Sequence, residues 1–158
     1  MDTRISAQEW YERGRTLRKA KMYSQALVDL RHASKDPNYA GQAHTQIALC
    51  LRAMGRHEEA VAALRYALDS TSISQDEAMH ALYLLGQSLE TMGRSAEALE
   101  AYNAVRQENA SFLDVEVRIK RLCGVRKSIF SQDLGALCGH LLNKASKRLG
   151  GPRWVAGS

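Results

Sequence analysis

Three short phrases recur along this chain at nearly constant spacing, and a period of that length restricts the fold more than any local propensity does. Tyr23-Ser24-Gln25-Ala26-Leu27, His57-Glu58-Glu59-Ala60-Val61 and Ser95-Ala96-Glu97-Ala98-Leu99 align on Ala26, Ala60 and Ala98, which stand 34 and 38 residues apart. Twelve residues before each alanine come Gly14, Ala48 and Gly86; four after come Leu30, Leu64 and Tyr102; seven after come Ala33, Ala67 and Val105. Gly55 and Gly93 lie five residues before the second and third alanines, where the first unit carries Lys21.

This recurrence describes pairs of antiparallel helices joined by short turns. Small residues at the aligned sites let two helix backbones approach, and the larger ones fill the space beside them. Each pair leaves one apolar face open, so stacking the next pair on it extends a continuous core into a solenoid. Ser6-x-x-Glu9 and Ser74-x-x-Glu77 read as capping boxes that start first helices, and Asp36-Pro37-Asn38 separates the first two units. The longer third spacing falls in the Ser/Thr-rich loop from Asp69 to Asp76, where an insertion leaves the register intact.

The pattern resembles the tetratricopeptide repeat family, whose 34-residue unit reads W-x2-L-G-x2-Y, then A-x3-F, then P. Trp10, Gly14, Ala26 and Pro37 carry the likeness in the first unit; Ile47, Ala48, Ala60 and Ala67 in the second; and Leu82, Leu85, Gly86, Ala98 and Tyr102 in the third. It covers residues from about Ser6 to Glu108. Arg13 departs from the usual leucine, and His44 stands in the second unit where Trp10 stands in the first. The resemblance implies an all-α, right-handed α-solenoid of three helix pairs that recognises other proteins and has no catalytic residues of its own.

Such an array needs a terminal helix to cover its last apolar face. Ser111 to Cys123 supplies the pattern, with Phe112, Val115, Ile119 and Leu122 at helical spacing and Ser111 and Asp114 as a variant capping box. Residues 6–123 are thus expected to form the repeat domain with its capping helix, and 124–158 a basic C-terminal helix and tail. In the latter, Leu134, Leu137, Cys138, Leu141, Leu142, Ala145 and Leu149 trace one further amphipathic helix that ends at Gly150-Gly151-Pro152. Its stripe could complete the solenoid, fill the groove in cis or self-associate, and packing on the preceding helix is preferred as the commoner use. Trp154 beside Arg153 in the tail could dock into a groove, although a frayed terminus is the simpler reading.

Composition narrows the function classes. The 158 residues are 45% hydrophobic and 25% charged, as in a single domain of ordinary size. Cys50, Cys123 and Cys138 are odd in number and unpaired in motif, there is no apolar leader and no long apolar run, and a cytoplasmic protein is expected. Met1 to Val117 holds 13 basic against 16 acidic residues, net −3, while Arg118 to Ser158 holds 9 against 1, net +8. That asymmetry admits an acidic partner for the C-terminal segment, but a solvated face explains it as well. No phosphate loop, zinc-protease or esterase signature occurs, and His32, His44, His57, His80 and His140 are scattered. No enzymatic function, cofactor or metal is expected.

In the family that the chain resembles, one face of each first helix lines a concave groove. By position this implies Gln8, Tyr11, Arg15, Arg18 and Lys19; then Gln42, Thr45, Gln46, Leu49 and Arg52; then His80, Tyr83, Leu84, Gln87 and Glu90. Arg15, Arg18, Lys19 and Arg52 would form a basic patch for a carboxylate, and Tyr11 and Tyr83 would offer flat anchors. A family subgroup clamps the C-terminal carboxylate of chaperones; its positions here hold Tyr11, Arg15, Gln46, His80 and Leu84, none of which matches. The preferred reading is a non-catalytic scaffold or adaptor holding a peptide or helix of a partner protein. The alternatives are a small secretion chaperone, or a regulator whose basic C-terminal segment binds nucleic acid or anionic membrane, for which the interleaved aromatics are missing.

Overall fold

The computed structural model describes residues 5–127, and all regular structure among them is helical. Three hairpins follow one another: α1 (Ala7–Lys19) with α2 (Tyr23–Ala33), α3 (Ala40–Ala53) with α4 (His57–Asp69), and α5 (Gln75–Thr91) with α6 (Ser95–Glu108). A seventh helix, α7 (Val115–Lys127), completes the order. Within each hairpin the two helices pack together; α2 then packs on α3, α4 on α5 and α6 on α7, so one core runs through the stack. This is the repeat solenoid expected from the sequence.

The repeat positions explain the packing. Ala26, Ala60 and Ala98 are completely buried, as are Leu30, Leu64 and Tyr102 one helical turn later. A Cβ on Gly14 would lie 2.7 Å from the Leu30 side chain, and one on Gly86 would lie 2.5 Å from the Tyr102 ring. Glycine is therefore required at these two sites by close approach rather than by backbone angle. The inter-helix turns ask for something different: Lys21, Gly55 and Gly93 share left-handed φ values of 62°, 74° and 74°. The first turn thus holds a lysine in a conformation that favours glycine.

Four helix starts follow two local schemes. Ser6 with Glu9 and Ser74 with Glu77 form complete capping boxes on α1 and α5. Before α4 and α6 the residue preceding the helix is instead arginine, and Arg56 and Arg94 form paired bonds to Glu59 and Glu97 three residues on. Arg13, the departure from the repeat pattern, pairs with the buried Asp29 of α2 at 2.5 Å and stacks over Trp10 at 4.4 Å. A charged hairpin clasp there replaces an apolar contact.

One boundary differs from the expectation. The last helix begins at Val115, not Ser111, and continues past Cys123 to Lys127. Asn109 Oδ1 accepts the Ser111 N–H at 2.9 Å and Leu113 adopts φ 48°, which spends Ser111 to Asp114 on a turn. The Asp114 carbonyl then accepts the first helical bond, from Arg118 N–H at 3.0 Å. The stripe from Leu134 to Leu149 and Trp154 lie outside the described residues.

Two measurements check this packing. Gly86→Ala forces a methyl group against a rigid, fully buried ring and is expected to cost about 1–3 kcal/mol in urea denaturation. Gly124→Ala, where an added Cβ meets nothing within 4 Å, is expected to cause no loss. Burial also pushes the Cys50 thiol up to about 11. At pH 8 its thiolate is then about one part in a thousand, so alkylation of the native chain read by peptide mass spectrometry should modify the exposed Cys123 and spare Cys50.

Candidate functional site

First helices of successive hairpins lie side by side, α1 against α3 and α3 against α5. Arg18, Arg52 and Glu90 occupy the same repeat position, eight residues before Ala26, Ala60 and Ala98, in the last stretch of each first helix. From that position Arg18 donates to Gln46 Oε1 at 2.8 Å, tying α1 to α3. Arg52 donates to Gln87 Oε1 at 2.7 Å, tying α3 to α5. At the third unit the charge reverses, and Glu90 receives donors from α7 instead.

Glu90 is the hub of this end. Its carboxylate accepts the Tyr102 hydroxyl at 2.8 Å, the Arg118 guanidinium at 2.9 Å and that of Arg121. Burial pushes the Glu90 carboxyl up, but the hydrogen bonds from Tyr102, Arg118 and Arg121 outweigh it and hold the group below its ordinary value. Arg118 also bonds Asp114 at 3.0 Å and the Tyr83 hydroxyl at 3.2 Å. The Tyr83 hydroxyl in turn donates to Asp114 and lowers that carboxyl, with Arg118 adding to the effect. Burial disfavours the Arg118 charge, yet Asp114, Tyr83 and Glu90 together raise its pKa. Tyr102 is shifted up, first by burial and then by Glu90.

Twelve of the fifteen groove residues read from the sequence divide into two groups. Tyr11, Thr45 and Tyr83 share one repeat position, and all are buried, at 9%, 8% and 5% exposure. Tyr39, just before α3, lies over Tyr11 at 5.7 Å between ring centroids. Phe112, just before α7, meets Tyr83 edge-on at 5.7 Å. Thr45 donates to the Gly41 carbonyl, and Leu84 is buried in the core. The chain's own neighbouring units therefore take up the faces that would anchor a ligand.

The second group stays accessible. Gln46, Leu49, Arg52 and Gln87 are half-buried, as are Arg15 and Arg18, while Lys19 is exposed in the last turn of α1. Arg15 pairs with Glu12 at 3.1 Å and sits over the Tyr11 ring at 5.6 Å, and Arg18 is engaged by Gln46. His80 lies against Phe112 at 6.4 Å. Arg15, Arg18 and Lys19 thus lie on α1 and Arg52 on α3.

A cleft of about 480 Å³ opens where α3, α5 and α7 meet, lined by Arg52, Gln87, Glu90, Thr91, Arg118 and Arg121. Arg118 and Arg121 were absent from the sequence-based site because their helix was assigned a covering role. A signal existed: Gly124 follows Gly86 by 38 residues, the same step that separates Ala60 from Ala98, which sets α7 in the register of a first helix. Among the described residues no group of three His, Cys, Asp or Glu is placed to hold a metal, and no helix is long and apolar enough to cross a membrane.

The architecture defines an array of helical hairpins with an open face along its first helices. Tetratricopeptide repeat models match residues 41–72 and 80–110, within the second and third hairpins, so these two hairpins are tetratricopeptide repeats. Repeats of this kind are protein-interaction modules and in general non-catalytic. No curated protein matches the sequence.

The Glu90 hub yields a test by acid. Glu90→Gln leaves two guanidinium groups with a weaker acceptor, and at pH 7 it should cost about 1–3 kcal/mol. The lowered carboxyl of Glu90 adds stability that is complete above its ordinary value of 4.5 and is lost as pH falls through its folded value. Urea midpoints should therefore fall less between pH 7 and pH 3 in Glu90→Gln than in the wild-type chain.

Proposed function

We propose that the chain is a non-catalytic scaffold or adaptor that holds an extended or helical segment of a partner protein along the face formed by α1, α3 and α5. The observation that carries this reading is the row of half-buried polar side chains, Arg18, Gln46, Arg52 and Gln87, which joins successive first helices and stays within reach of solvent. A helix face meant only for packing would be closed and apolar. This one is polar, partly desolvated and preorganised, which lowers the ordering cost of binding. Leu49 adds an apolar contact at its middle, at the repeat position that Arg15 and Gln87 occupy in the other units. We assign no binding energy to Tyr11 or Tyr83, since both rings are already covered. Unpaired thiols, Cys50 buried and Cys123 exposed, are consistent with a cytoplasmic setting.

Site-specific photo-crosslinking tests the reading. Benzoylphenylalanine in place of Leu49 should capture a partner polypeptide in native lysate, and the same group in place of the exposed Ala62 on α4 should not. Capture from Ala62 alone would move the interaction to the second helices and overturn the groove.

A further inference from the structure

Charge is unevenly satisfied in the cleft between α3, α5 and α7. Three of its six lining residues are arginines and one is a carboxylate. Glu90 already accepts from Tyr102, Arg118 and Arg121, so its single negative charge is shared by two guanidinium groups before Arg52 is counted. Arg118 is held on both sides, by Glu90 and by Asp114. Arg121 gives one nitrogen to Glu90 but keeps a side chain that is 57% exposed.

Arg52 is the unusual member. Among the described residues its hydrogen-bond partner is the neutral Gln87, its buried Nε–H meets no acceptor, and no carboxylate lies within ion-pair distance. Burial lowers its pKa, and the nearby positive charge of Arg118 lowers it further. A guanidinium taken partly out of water needs an anion, and an unpaired one is costly. This repeat position is charged in all three units, but its partners differ. The equivalent residue of the third unit is Glu90, and the first unit's Arg18 meets only a glutamine.

The geometry points to this cleft as a carboxylate-binding site, in which Arg52 and Arg121 grip an acidic side chain or chain terminus of the partner polypeptide. Planar guanidinium groups match a carboxylate in paired hydrogen bonds, and the Gln87 side-chain amide offers a neutral N–H donor beside it. Arg118, locked by Glu90 and Asp114, sets the wall and the positive field. The site is separate from the positions that clamp chaperone tails in the related subgroup, since Tyr11, Arg15, Gln46, His80 and Leu84 all lie outside the cleft. It rests on the groove reading above and deepens it: the partner would be acidic where it crosses from α5 to α7.

Fluorescein-labelled hexaglutamate, followed by anisotropy with the full chain at low salt, is the probe. Wild-type chain should bind it, Arg52→Gln and Arg121→Gln should each weaken binding by about tenfold, and Arg65→Gln on α4 should leave it unchanged. Arg121 is exposed, so its variant reports on binding even if Arg52→Gln disturbs the fold. No binding by wild type, or binding by both cleft variants as tight as that of wild type, would overturn the assignment; so would stronger competition by tripolyphosphate than by unlabelled hexaglutamate, which would mark a phosphate site. Crosslinking from position 49 without hexaglutamate binding would leave the groove standing and remove the cleft. Hexaglutamate binding lost in the cleft variants without crosslinking would do the reverse.

Discussion

The fold depends on one steric fit repeated along the chain: a small residue on each first helix facing a large one on its partner. Gly14 lies against Leu30 and Gly86 against Tyr102, while Ala48 and Leu64 fill the same positions between them, fully buried. Close approach of the two backbones sets the geometry of each hairpin, and the hairpin geometry sets where the next first helix must lie. Since the interior is packed to near-crystalline density, these contacts permit little slack. The row of first helices inherits that rigidity.

In the third hairpin the same fit also carries charge. Tyr102 fills the place held by Leu30 and Leu64, but its hydroxyl reaches Glu90, and Glu90 collects Arg118 and Arg121 from α7. A core residue is thereby coupled to the polar end of the array within a single side chain. The earlier units have no such link, because leucine offers no polar tip. This explains why an ordinary repeat position is followed here by an ionic network between α5 and α7.

The period made the hairpins, their turns and two capping boxes readable, because each depends on residues close in sequence. What it could not supply was which groove positions the neighbouring unit covers. Tyr11 and Tyr83 look like anchors from their repeat position, and only the placement of Tyr39 and Phe112 shows that they are packed. The start of α7 was misplaced for a related reason: Phe112 matches the apolar spacing of the helix but belongs to the turn before it. Its ring serves the core from outside the helix. Arg118 and Arg121 escaped notice because a covering role and a first-helix role call for the same apolar stripe, and differ only in what the polar face meets.

The uneven charge along the chain acquires a local meaning from this arrangement. Its acidic and basic portions divide at Arg118, the residue that bridges them by bonding Glu90 and Asp114. Ion pairs on open surface contribute little, but these are partly desolvated and share hydrogen bonds with two tyrosines, so their mutual attraction is less screened. Neutralisation is nonetheless incomplete, since Arg52 approaches the same network from α3 without an acid of its own. A guanidinium with no carboxylate partner among the described residues, beside a carboxylate already shared by two arginines, leaves an electrostatic deficit on the open face, and it is an anion from outside these residues that would remove it.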